Sequence, residues 1–304
     1  MKRFFHLLVF MLLLAAVPAR AAEQSSVITK EFNLKDFQGL SAGSLFQVTL
    51  VQDDQYKVTV EYSDYLEKYL RVHVTDNTLH LKLDNLPASI QRARKFQDSG
   101  VLRATVHMPV LAMLELSGAA KLSARGQFKV AGTYRMDLSG ATSAKDLSVQ
   151  GRRARIEISG AAKCERFEGR FDEVLLEGSG ASRADFTVDA AAWDIEFSGA
   201  VQADLKGQRS REIKMDVSGA VKTKLLIPAG YLSYEGSGAS SLQAAEVSAH
   251  HAVVELSGTA KCQVAVEEAL EIEASGVAEC RYKAAKDAKV RVVRSGRMAK
   301  IEAL

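Results

Sequence analysis

The chain has 304 residues, of which 47% are hydrophobic and 25% charged, and its formal net charge is +3. That balance permits a sizeable core and excludes a disordered chain. Lys2, Arg3 and Arg20 account for the excess charge, and beyond them 37 basic residues face 37 acids, so charge argues against nucleic acid or an anionic membrane surface as a partner.

The chain opens on Met1-Lys2-Arg3, runs through an apolar stretch from Phe4 to Val17 broken by His6, and reaches Pro18-Ala19-Arg20-Ala21. A basic start, a short apolar stretch and a small-x-small site predict a secretory signal peptide over 1–21, cleaved after Ala21. The apolar run is too short to cross a bilayer, and no later stretch approaches the required length. The expectation is export without a membrane span in the mature chain, to the periplasm or outer surface of a bacterium. No cysteine lies near the cleavage site, so no lipid anchor is expected.

Residues 22–109 read as a strand-rich N-terminal part, or first irregular coils. Phe46, Val48 and Leu50 alternate with polar residues, Asp53-Asp54 marks a turn, and Tyr56, Val58, Val60 and Tyr62 alternate again. Period-two alternation between turn residues predicts half-buried strands. Tyr65 to Leu70 suits a helical turn. Leu70, Val72 and Val74, then Asp76-Asn77, then Leu79, Leu81 and Leu83 predict a hairpin. Ala88 to Gly100, with Arg92, Arg94 and Lys95 close together, is an irregular connection, read as a solvated loop or short helix. Leu102, Ala104, Val106 and Met108 resume a strand.

From 110 to 304 the chain repeats one phrase: a large apolar residue, an acid, a further residue, then Ser-Gly and usually Ala. The pairs are Ser117-Gly118, Ser139-Gly140, Ser159-Gly160, Ser179-Gly180, Ser198-Gly199, Ser218-Gly219, Ser237-Gly238, Ser257-Gly258, Ser275-Gly276 and Ser295-Gly296, spaced by 18 to 22 residues. So constant a period marks a solenoid whose coils bury their faces only by stacking. About twenty residues per coil suits two or three short strands, and helix signals are weak. The fold class predicted is all-β: a single-stranded β-helix of about ten stacked coils, right-handed by the crossover rule, with a rod about 45 Å long over the repeats.

Within each copy the residue three before Ser is large and apolar, and the next is acidic in nine of ten: Glu115, Asp137, Glu157, Glu177, Glu196, Asp216, Glu235, Glu255 and Glu273. Four residues after Ser a base is common, as in Lys121, Lys163, Arg183, Lys222 and Lys261. The reading is apolar inward, acid outward, and an acidic and a basic ladder separated by a Ser-Gly corner. Like charges at strand spacing repel, so the acids need neutralising across the corner, by another molecule's bases, or by a divalent cation. One acid per coil is a poor calcium loop. Glycine in the same place ten times implies positive φ or a site too tight for a side chain.

Cys164, Cys262 and Cys280 each lie five residues after the repeat Ser, a slot filled elsewhere by Leu122, Ala144, Ala184, Ala203, Thr223 and Leu242. The slot reads as an interior column. Either the thiols are inert and buried, or Cys262 and Cys280, one coil apart at about 4.8 Å, are bonded.

An export signal, a strand-rich start, Met108-Pro109-Val110-Leu111 before Glu115-Leu116-Ser117-Gly118-Ala119, and later Ser-Gly-Ala coils together resemble the family described as "putative auto-transporter adhesin, head GIN domain". The resemblance covers most of Phe32 to Leu304 and implies a β-helical domain with an envelope or surface role. It brings no catalytic residues. No translocating barrel is expected in this sequence, a departure from an autotransporter's layout.

Enzymatic β-helices interrupt their repeat with distinctive acid and base clusters. Here the acids are in register and equivalent, unlike the tuned carboxylate pair of glycoside chemistry. The repeated Ser lacks a nucleophile elbow and a paired His. The neighbours His250-His251 are expected on opposite faces of one strand, in a structural role, with no partner at metal-ligand spacing. No phosphate loop occurs. The sequence thus predicts no catalytic, cofactor or metal site. The function expected is a non-catalytic, exported envelope protein, an adhesin or binding scaffold whose partner is an envelope protein or surface glycan, with self-association as a further mode. The alternatives are a polysaccharide-active or carbohydrate-binding β-helix, and an envelope scaffold or stress-sensing partner.

Overall fold

The computed structural model describes residues 26–92, 100–294 and 298–304. The signal segment, Arg94, Lys95 and Ser295-Gly296 therefore lie outside the described residues.

The repeats form an all-β solenoid of stacked parallel coils. Each coil has three sides. On the first, Met113–Leu116, Thr133–Leu138 and Arg153–Ile158 stack in register, followed by residues 173–178, 192–197 and onward to Lys289–Arg294. Alternation sends one apolar column inward, from Leu114, Met136 and Ile156 through Tyr234 to Ile272, all buried. The second side follows the corner, and its inward column is the cysteine slot: Leu122, Ala144, Cys164, Ala184, Ala203, Thr223, Leu242, Cys262 and Cys280 are all buried. The third side begins with Gln127–Lys129 and Ser148–Gln150, which bury Phe128 and Val149.

The corner has a physical explanation in its glycines. All nine described repeat glycines have φ between 67° and 89°, the left-handed region that side chains disfavour. Space forbids a side chain as well. A Cβ on Gly180 would lie 2.4 Å from the carbonyl oxygen of Gly160. The approach is that close because, from Gly140 onward, the amide after the glycine donates to the glycine carbonyl one coil back, as Ala161 does to Gly140 and Ala181 to Gly160, both at 2.7 Å.

The coil continues further toward the N-terminus than the Ser-Gly count indicates. Gly39–Ala42 lies beside Met113–Leu116, with Leu40, Ser41 and Ala42 opposite Leu114, Glu115 and Leu116. Gly43-Ser44 then makes the corner with its residue types reversed. Ser44 takes φ 59°, and Ala119 donates to its carbonyl at 2.7 Å. Sequence reading missed this copy because a serine stands where every later coil has glycine. One coil beyond it, Thr78–Leu83 and Leu102–Met108 occupy the first and second sides. Residues 84–92 and 100–101 lie between those two strands, at the place of the later corners, and they include a short helix, Ala88–Gln91.

Antiparallel strands close the N-terminal end. Leu70–Thr75 pairs with Thr78–Leu83 as the predicted hairpin, its turn residues Asp76 and Asn77 at φ 50° and 57°. Lys57–Ser63 pairs with Leu102–Met108, and Val27–Phe32 with Lys57–Ser63. The C-terminal end is different. Val290 and Val292, in columns that are buried one coil earlier at Leu270 and Ile272, are 37% and 40% exposed.

Candidate functional site

Beside the corner, the outward positions of the first side assemble a continuous strip. In-register pairing stacks Glu115, Asp137, Glu157, Glu177, Glu196, Asp216, Glu235, Glu255 and Glu273 into one column at about 4.8 Å per step. Shallow grooves run between this column and the serines. One of about 250 Å³ is lined by Glu157, Glu177, Ser179, Glu196, Ser198 and Asp216. A second of the same size continues along Glu235, Ser237, Glu255, Ser257, Glu273 and Ser275, sharing Asp216.

Electrostatics follow from that stacking. The Asp137 carboxyl is raised above its ordinary value, first by desolvation and then by the neighbouring charges of Glu157 and Glu115. Arg155 meets Glu177 at 3.2 Å. Several bases of the second side pair with acids one coil away on their own face, Lys145 with Glu165 at 2.6 Å, Arg183 with Asp204 at 3.7 Å and Lys261 with Glu279 at 3.6 Å. Of the three ways to neutralise the acids, the one across the corner is not the one that Arg183 and Lys261 take.

Three of the repeat serines turn toward backbone. The hydroxyls of Ser139, Ser237 and Ser275 donate to Leu116, Val217 and Leu256 carbonyls one coil back, at 3.3 to 3.4 Å. They have the geometry of a corner and are not aimed at a base.

One cluster departs from the repeat. Within Ser241–Leu256 the pairing with the next strand shifts between Ala244, Ala249 and His251. This bulge brings His250 to Glu267 at 3.0 Å and to Glu268 at 3.4 Å, and His251 to Glu268 at 3.2 Å, with Arg209 and Ser248 also at Glu267. The expectation of opposite faces for the two histidines fails here because a bulge re-aims side chains. Ala245-Glu246-Val247-Ser248, which breaks the alternation, was the available signal. Elsewhere His107 meets Asp53 at 2.9 Å and holds that carboxyl below its ordinary value. Among the described residues, no group of three or more His, Cys, Asp or Glu is arranged to hold a metal ion. Among them too, no helix is long and apolar enough to cross a membrane.

Comparison with known proteins bears on this architecture. The crystal structure of an adhesin, so named with the qualifier "putative", from Parabacteroides distasonis is similar at 14% identity, with a TM-score of 0.54 over 92% of this chain and 98% of that one. Another of that description, from Parabacteroides merdae, has 14% identity and a TM-score of 0.46 over 91% and 96%. A Parabacteroides distasonis protein described as a "putative lipid binding protein" has 14% identity and a TM-score of 0.45 over 91% and 96%. No curated protein matches the chain. The family model "Putative auto-transporter adhesin, head GIN domain" matches residues 36–187 and 170–285, so the chain belongs to that family.

Proposed function

We propose that the chain is a non-catalytic, exported envelope protein, an adhesin or binding scaffold that presents its solenoid surface to a surface glycan or an envelope protein. The observation that carries this reading is the strip of in-register carboxylates and shallow grooves from Glu115 to Glu273. Equivalent groups at a fixed pitch suit repeated weak contacts along an extended partner, whose affinity grows by multivalency. They lack the distinct acid and base environments that hydrolysis of a glycan needs. Membership of an adhesin-like family supports an exported or surface location.

The test is a glycan array probed with the purified chain, run beside capture of partners from an envelope fraction. Binding by the chain that is lost when Glu177, Glu196 and Asp216 are changed together to Gln and Asn is the expected outcome. Turnover of a glycan would overturn it. Capture of a specific envelope protein with no glycan bound would select the scaffold form of the reading.

A further inference from the structure

The cysteine column holds a pair as well as a single thiol. Cys262 of Lys261–Ala274 is the in-register partner of Cys280 of Glu279–Ala284. Both are free thiols, and both are buried in the core at 1% and 0% exposure. Adjacent parallel strands stand about 4.8 Å apart, inside the Cα separation a disulfide spans. Cys164, in the same column, has Ala144 and Ala184 as its neighbours. We propose that Cys262 and Cys280 are a disulfide-forming pair that staples the last coils of the rod, oxidised as the chain folds.

The location gives the staple a use. Antiparallel strands close the N-terminal end, whereas at the C-terminal end Val290 and Val292 stand exposed in core columns. End coils with one neighbour open most readily. A bond between Cys262 and Cys280 ties the strand before Ser275 to the strand after it, and so limits that opening. The inference rests on the exported reading, because a reducing cytosol would keep both thiols reduced.

The chemistry balances with a disulfide oxidant of the glutathione or thiol-oxidoreductase class. One cysteine thiolate attacks the oxidant's S–S bond, forming a mixed disulfide and releasing one thiol. The second thiolate attacks the cysteine sulfur of that mixed disulfide, the new S–S bond forms, and the other thiol leaves. The pair loses two electrons and two protons; the oxidant gains them. Contact with Cys280 and burial push the Cys262 thiol up, and no oxidant reaches the closed core. The exchange therefore belongs to folding, before Glu279–Ala284 is covered.

The full chain, reduced in denaturant and refolded with glutathione and its disulfide, is then alkylated in denaturant without reductant. The expected product carries one alkyl group, on Cys164, has a mass lower by two hydrogen atoms before alkylation, and yields a Cys262–Cys280 cross-linked peptide. Amide exchange across the two strands slows roughly a hundredfold relative to the reduced chain, the scale for closing a short loop. The Cys280→Ala variant, which puts in this column the residue found at 144, 184 and 203, folds and shows no redox-dependent difference. Three alkylated cysteines, or cross-links that involve Cys164, overturn the proposal. Because the oxidant is supplied in the tube, failure here leaves the export reading untouched.

Discussion

At the scale of single residues, the repeat phrase separates into positions that geometry dictates and positions that it leaves free. Gly199 has φ 82°, and a Cβ there would lie 2.8 Å from the Gly180 carbonyl oxygen. Gly199→Val should cost about 1–3 kcal/mol through strain and overpacking, whereas Glu196→Gln, outward and exposed, should be nearly neutral. Thermal unfolding of the two variants checks this, and equal tolerance would remove the account of the corner. Asp137 supplies a pH test. Its carboxyl is raised in the folded chain by desolvation and by Glu157 and Glu115, so the native state holds its proton more firmly than the unfolded state does. Stability from this group is present at low pH and is lost as pH rises from the ordinary carboxylate value through the raised one. Asp137→Asn should therefore stabilise the chain at neutral pH, and the gain should disappear below the ordinary value, as melting curves at pH 7 and pH 3 would record.

At the scale of strands, stacked columns tolerate size variation only where a neighbouring coil compensates. Gly178 follows Leu138 and Ile158 in its column and precedes Phe197 and Val217, and a Cβ there would meet the Phe197 ring at 2.7 Å. The ring of one coil fills the space left empty by the coil before it. Gly178→Leu should destabilise by about 1–3 kcal/mol, and Phe197→Ala by about 3–5 kcal/mol. The double variant should cost less than the sum of the two, a coupling that a double-mutant cycle in denaturant would measure. Alternation made the strands legible from sequence, and it located the inward and outward faces. It could not show that a glycine and a phenylalanine one coil apart share one volume, because that depends on which coil lies above which.

At the scale of the whole molecule, a solenoid is a sum of coils and contacts between neighbours. Deletion of residues 200–219 joins Ser198-Gly199 to Ala220 and keeps every remaining strand in its side. The shortened chain should fold with an unchanged β spectrum, as a rod shorter by one strand spacing, about 4.8 Å. Circular dichroism and small-angle scattering would check this; loss of folding would mean the coils depend on more than their immediate neighbours. The first and last described coils differ. Antiparallel strands from Val27–Phe32 to Leu102–Met108 close one end, and the other leaves core positions open.

The sequence by itself determined the repeat length, the apolar column, the outward acids and the Ser-Gly corner. Each of these is a local preference of the chain, of strand alternation or of glycine at positive φ, stated again in copy after copy. The tertiary structure alone decided the rest. Arg183 and Lys261 pair with acids of the second side, because the nearest opposite charge to each lies in the next coil. The Gly43-Ser44 copy was hidden because a serine, Ser44, takes the positive-φ place that glycine holds in the later coils. His250 and His251 converge on Glu268 because a bulge shifts their strand against its neighbour. Contacts of this kind join residues about one coil apart in sequence and one strand apart in space, and only the stack brings them together.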